Sequence, residues 1–200
     1  VIFLDVDPTT GLMTPETLKS AIATHHDKNL KAVVNVHLAG QCEDLESLYT
    51  IAKERNLFII EDAAHAIGTV YEDHSGNKHP VGSNAFSDLT TFSFHPVKTI
   101  AMGEGGAITA NDEILSERLR SYRSHGMIRN SEQWEAKIET GPWYYEMHNL
   151  GYNFRISDIN CALGLSQLDK LESFKAERAK IVSRYDKAFS DLENITPLHK

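Results

Sequence analysis

Three short apolar runs, "VIFLDVD" (1–7), "KAVVNVHLAG" (31–40) and "LFIIED" (57–62), alternate with two stretches whose apolar residues recur at helical spacing. Runs of this length, rich in β-branched residues, predict buried strands. Between the first two, Thr14 followed by Pro15 marks a helix start, because the first helical position has no use for the N–H that proline lacks. Leu18 and Ile22 then share one face. In "DLESLYTIAKERN" (44–56), Leu45, Leu48, Ile51 and Ala52 fall on one stripe. A strand–helix–strand–helix–strand order predicts parallel strands joined by right-handed crossovers, with helices covering the sheet. The expected fold class is therefore α/β with a mostly parallel sheet.

Further along, residues 71–84 are polar and rich in turn formers, which predicts a loop or a small hairpin. "DLTTFSF" (88–94) and "GGAITA" (105–110) read as two more strands. Asp112 is placed to cap a helix carrying Leu115, Leu119 and Tyr122, which Gly126 stops. Residues 131–149 read as irregular and aromatic-rich. From Ser157 the pattern is helical almost to Leu192, with a break near Asp169.

Composition narrows the function. With 20 basic and 28 acidic residues the net charge is −8, which disfavours nucleic acid or an anionic membrane as partner. No apolar run approaches the roughly 20 residues of a membrane helix. Cys42 and Cys161 are far apart and form no CxxC, so both read as buried thiols in a reducing cytoplasm. No metal site is expected, since the histidines lack ligand spacing. The opening run is too short and too soon acidic for a signal peptide, and the chain reads as a fragment cut from a longer one.

Ligands of open parallel sheets sit outside the carboxyl ends of the strands. Asp62 ends the third run, His65 follows it, Ser93 lies at the end of "LTTFS", and Lys98 is in the turn beyond. If the strands ending at Asp62 and Ser93 are neighbours, about 4.8 Å separates them, and a carboxylate and an amine face one small ligand. Each residue alone has an ordinary reading: a turn cap, a packed histidine, a solvated lysine. "GEGG" (103–106) alone is a turn, since no GxxxxGK[ST] is present, and no GxGxxG follows the first strand.

The ordered set "EDAAHAIGT" (61–69), "SFHPVKTIAMGEGG" (93–106) and "LGYNFRISDINCALGLSQL" (150–168) resembles the DegT/DnrJ/StrS sugar aminotransferases, as does "NVHLAGQCEDLESL" (35–48). The resemblance covers nearly the whole chain. It implies the three-layer α-β-α large domain of type I aminotransferases, which bind pyridoxal 5'-phosphate (PLP). Residues 1–156 would be part of that domain, and 157–200 a long helical segment leading to a small C-terminal domain. "SHGM" and "PWYYEMHNLGYNFRISD" are most similar to members acting on a UDP-linked 4-keto-6-deoxy-N-acetylhexosamine in pseudaminic acid biosynthesis.

The resemblance also implies roles. Lys98 would carry PLP as a Schiff base and act as general acid/base; related sugar dehydratases have a histidine there. Asp62 would pair with the pyridine nitrogen, making the ring an electron sink. His65 would lie near the ring's phenolic oxygen, and Ser93 would bond the phosphate. Asn153 would reach the phosphate held by a neighbouring subunit, which implies a homodimer with shared sites. The implied partners are a nucleotide-sugar and glutamate as amino donor. Glu104 is given no catalytic role. The family's upstream half carries most of the phosphate cradle, so residues 1–200 by themselves are expected to bind PLP weakly and be inactive. Two alternatives stay open: another type I PLP enzyme with a different keto substrate, and a regulatory homologue without catalysis.

Overall fold

The computed structural model describes residues 1–26, 28–136 and 141–198. In chain order the elements are α1 (Pro15–Thr24), β1 (Ala32–Val36), α2 (Leu45–Glu54), β2 (Phe58–Asp62), β3 (Val70–Glu72), β4 (Lys78–Pro80), β5 (Leu89–Ser93), β6 (Gly106–Thr109), α3 (Glu113–Arg123), β7 (Met127–Ile128), β8 (Glu146–Met147), α4 (Asp158–Leu168) and α5 (Leu171–Phe189). A four-stranded sheet has the order β1-β2-β5-β6. Its first three strands are parallel, and β6 returns antiparallel to β5. The α/β class and the mostly parallel sheet are thus as expected.

The helices form for the reasons visible in the sequence. Thr14 caps α1 through a reciprocal pair with Thr17: the Thr17 N–H donates to Thr14 Oγ1 (3.3 Å) and the Thr14 N–H to Thr17 Oγ1 (2.9 Å). Asp44 caps α2 by accepting from the Ser47 N–H. The faces so oriented bury Leu18 and Ile22 of α1, and Leu45, Leu48, Ile51 and Ala52 of α2. They pack on Val33 and Ile59 from one face of the sheet, forming the core with Leu57, Ala63 and Ala66. Burying each Leu or Ile side chain is worth about 1.5–3 kcal/mol. Asp88 ties this layer to β2. Its carboxylate accepts from the Ile59 N–H at 2.8 Å and from Lys53 Nζ of α2 at 2.7 Å through each oxygen.

Several local expectations change. Residues 1–7 form no strand: they make no ladder bonds, and Val1 and Phe3 are exposed. An apolar run becomes a strand only where a neighbour takes up its N–H and C=O groups, and the described sheet begins at β1. The polar stretch around 71–84 is a hairpin, β3–β4. Within the stretch expected to be irregular, Glu146–Met147 pair with Met127–Ile128, while residues 137–140 lie outside the described residues, as do 199–200 of the C-terminal segment. The break near Asp169 is present, between α4 and α5. Cys42 and Cys161 are half-buried rather than buried. Among the described residues no helix is long and apolar enough to cross a membrane.

Candidate active site

Asp62 and Ser93 leave the sheet on the same face. Asp62 stands opposite Thr91 in the β2–β5 register, and Ser93 is two residues further along β5, so the period of two brings both side chains to one side. That side is the one opposite α1 and α2, because the inward residues of β2 are Ile59 and Glu61. On it Val34, Val36 and Phe58 are also exposed. The strands are parallel neighbours, as the sequence argument required.

Each candidate has a defined seat. One oxygen of Asp62, Oδ1, accepts from the Ala64 N–H at 3.0 Å. The Asp62 carbonyl accepts from the His37 N–H at 3.0 Å, and the Ala63 N–H donates to the Thr91 carbonyl at 2.8 Å. His65 is exposed, and its Nδ1 accepts from the Ala39 N–H at 3.3 Å. Ala39 is free to point there because it adopts a left-handed conformation with φ 55°. Ser93 Oγ accepts from the His95 N–H at 3.4 Å.

Lys98 lies in the loop between β5 and β6. That loop is closed at its base by two hydrogen bonds, Phe94 N–H to the Gly105 carbonyl (2.9 Å) and Met102 N–H to the Phe94 carbonyl (3.0 Å). Ile100 and Met102 are buried and anchor it. Lys98 donates its backbone N–H to the His95 carbonyl at 2.9 Å; its half-buried side chain has no hydrogen-bond or ion-pair partner among the described residues. The C-terminal helices hold the loop from outside: Asn160 Nδ2 of α4 donates to the Met102 carbonyl, and Arg178 Nη1 of α5 donates to Thr99 Oγ1 at 3.1 Å. The glycines shape the turn. A Cβ on Gly106 would stand 2.8 Å from the Phe92 carbonyl oxygen, so only glycine lets β6 start so close to β5.

Asn153 sits apart from this group. It bridges Ser124 at the end of α3, is exposed, and falls in sequence between Tyr152 and Phe154, whose rings stack with centroids 4.8 Å apart. No hydrogen bond among the described residues links it to Asp62, Ser93 or Lys98.

Sequence reasoning missed a second polar set on the opposite face. His37 and Glu61 are each 1% exposed, and His37 Nε2 lies 2.7 Å from Glu61 Oε2. Glu61 Oε1 accepts from Thr90 Oγ1 at 3.1 Å. Burial pushes the Glu61 carboxyl up, but the hydrogen bond from His37, with Ser87, the His37 charge and Thr90, outweighs it and holds the group below its ordinary value. The signal was in the alternation: Val33 and Asn35 share the inward face of β1, buried His37 continues it one residue past the strand end, and Glu61 follows Ile59 on that of β2.

A half-buried, unpartnered amine, a carboxylate with Oδ1 engaged by a backbone N–H, and a strand-end hydroxyl are a donor set that fits PLP: one group each for an aldehyde, a pyridine nitrogen and a phosphate. The comparisons with known proteins point the same way. The sequence profile of the DegT/DnrJ/EryC1/StrS aminotransferase family matches residues 1–200. The spore coat polysaccharide biosynthesis protein SpsC of Bacillus subtilis is 37% identical over 197 residues, 98% of this chain and 47% of that protein. The UDP-4-amino-4,6-dideoxy-N-acetyl-beta-L-altrosamine transaminase of Campylobacter jejuni is 37% identical over 162 residues, 81% of this chain and 39% of that protein. Among solved structures, Helicobacter pylori PseC, an aminotransferase involved in the biosynthesis of pseudoaminic acid, superposes with a TM-score of 0.82 at 31% identity, covering 99% of this chain and 47% of that one. The chain spans about half the length of the curated relatives it matches.

Proposed function

Because this chain belongs to the DegT/DnrJ/EryC1/StrS aminotransferase family, we propose that the full-length protein is a PLP-dependent aminotransferase acting on a nucleotide-linked keto-sugar. The observation that carries the reading is that Asp62 and Ser93 leave the carboxyl ends of the neighbouring strands β2 and β5 on one face, with Lys98, which has no side-chain partner among the described residues, in the loop that follows β5. When bound, PLP supplies an electron sink for negative charge on the carbon next to the transferred nitrogen.

The chain's own residues do the rest. Asp62 offers a negative charge to the pyridine nitrogen and keeps its proton in place, with Oδ1 fixed by the Ala64 N–H. Ser93 Oγ donates to the phosphate. Lys98 Nζ would hold the cofactor through its aldehyde carbon and, once displaced, would carry a proton between the substrate carbon and that cofactor carbon, for which its half-buried setting and the lack of an ion-pair partner among the described residues keep it available. His65 would lie near the ring's phenolic oxygen. Asn153, exposed beside Tyr152 and Phe154, reaches the phosphate of a second subunit, making a homodimer with shared sites. Residues 1–156 are then part of the cofactor-binding domain and 157–200 the link to a smaller one, in a cytoplasmic enzyme.

The substrate we favour is a UDP-linked 4-keto-6-deoxy-N-acetylhexosamine, with glutamate as donor; what supports it is the likeness to the Campylobacter and Helicobacter proteins. The test offers the full-length protein that sugar and glutamate and follows the amino-sugar by mass spectrometry. Product is expected from the wild type and none from Lys98→Ala. Substantial turnover in that variant overturns the mechanism, and turnover of a different keto substrate alone overturns the substrate.

A further inference from the structure

The buried pair His37–Glu61 has no part in the chemistry above, and burying polar groups carries a desolvation cost that an apolar pair avoids. An ionised carboxylate inside a core needs a partner and full hydrogen bonding to be tolerated, and replacing such a pair with aliphatic residues is often neutral or stabilising. Here each carboxylate oxygen has a partner. Glu61 Oε2 takes His37 Nε2 and Oε1 takes the Thr90 hydroxyl. The Thr90 N–H can only donate, so it orients Asn84: the amide oxygen accepts from Thr90 N (3.1 Å) and Ser87 Oγ (3.0 Å), and the amide nitrogen donates to the Gly82 carbonyl (3.0 Å) and Thr109 Oγ1 (2.8 Å). The other titratable groups that feel the Glu61 charge, Cys42 and Tyr71, are both raised and stay neutral.

What a hydrogen-bonded pair does that an aliphatic pair cannot is fix direction. His37 grips β2 twice, with its ring on the Glu61 side chain and its N–H on the Asp62 carbonyl. On the other side, Thr91 Oγ1 donates to the Glu61 carbonyl at 3.2 Å and the Ala63 N–H reaches the Thr91 carbonyl. The two peptides flanking Asp62 are therefore clamped from β1 and from β5. Two residues beyond His37, Ala39 presents its N–H to His65 Nδ1, so the same anchor sets a second residue of the site.

We propose that His37 and Glu61 are positioning residues of the active site: a buried strut that sets the direction in which the Asp62 carboxylate leaves the sheet toward the cofactor's pyridine nitrogen. The proposal rests on the reading of Asp62 given above. Its role is separate from catalysis, because neither side chain reaches the open face where Asp62 and Ser93 stand.

The experiment uses the full-length protein and PLP itself as probe. Wild type, Glu61→Gln, His37→Gln, Thr90→Val and Asp62→Asn are compared by PLP dissociation constant, by the pH midpoint of the bound cofactor's visible absorption band, and by the melting temperature of the cofactor-free protein. Glu61→Gln and His37→Gln are expected to weaken PLP binding about tenfold and to move the band's pH midpoint in the same direction as Asp62→Asn. A loss of packing alone would lower the melting temperature and leave that midpoint in place, and this result overturns the proposal. If Glu61→Gln and His37→Gln do not fold, Thr90→Val removes one donor to Glu61 at nearly constant volume, and a wild-type midpoint and affinity there overturn it equally. An Asp62→Asn variant with wild-type band and affinity instead removes the reading on which the strut depends; an altered Asp62→Asn beside unaltered strut variants removes the strut alone.

Discussion

Glu61 and Asp62 share a peptide bond and serve opposite faces of the sheet. Glu61 is 1% exposed and paired with His37 beneath helices α1 and α2, while Asp62 stands half-buried on the open face. The pleat enforces the division, and it sends one residue into the core while its neighbour faces outward.

The buried pair makes stability depend on acid. Glu61 is held below its ordinary value of 4.5 in the folded protein, so the unfolded chain binds that proton more readily. The stabilisation is complete above about pH 4.5 and is lost as pH falls through the lower folded value. Melting temperatures of wild type and Glu61→Gln measured from pH 7 to pH 3 should converge toward the acid end, with the variant less stable at pH 7. Parallel curves would show that Glu61 titrates alike in both states.

Cys42 is predicted to be an unreactive thiol. Burial, helped by the nearby Glu61 charge, pushes its pKa up from 9.0 to about 12, and the thiolate is the reactive form. A thiol-disulfide reagent at pH 8 should modify it slowly in the native protein and rapidly in urea, read by mass spectrometry of the Cys42 peptide. Because the folded value is raised, this contribution to stability is full below about pH 9 and lost as pH rises toward 12. Rapid native labelling of Cys42 would contradict both statements.

Asp88 binds the Ile59 N–H and Lys53 together, which joins α2 to the strand that ends at Asp62. Asp88→Ala leaves a backbone donor and an ammonium without their acceptor. The expected loss is about 1–3 kcal/mol, most of it from the N–H, since a half-exposed ion pair is worth little. Urea unfolding should show a lowered midpoint for Asp88→Ala, larger than that of Lys53→Ala; the reverse order would assign the stabilisation to the ion pair.

Glycine substitutions separate strain from collision. Gly76 has φ +81° with open space where a Cβ would go, so Gly76→Ala should cost about 1–2 kcal/mol for the left-handed backbone alone. Gly126 has φ +71°, and its Cβ would lie 1.8 Å from the Asn149 carbonyl oxygen, between α3 and the segment that carries Asn153. Gly126→Ala should therefore be far more destabilising, and comparable urea midpoints for the two variants would refute the packing seen there.

The sequence alone determined what depends on near neighbours. The stripe Leu45–Leu48–Ile51–Ala52, the Thr14 cap, the hairpin after β2 and the break at Asp169 follow from helical period, capping chemistry and turn residues within a few positions. Asp62, Ser93 and Lys98 were marked by their places at and beyond strand ends, and their roles only by the resemblance of the ordered blocks to a known family. Only the tertiary structure decided which apolar run finds a partner, and residues 1–7 do not, because ladder bonds come from another strand. It also decided that β6 runs back against β5, that Asn153 lies at the end of α3, and that His37 and Glu61 meet across two strands. A charge in an apolar run looks like a misfit in one dimension; its partner, 24 residues away, becomes its neighbour only when parallel pairing fixes the register.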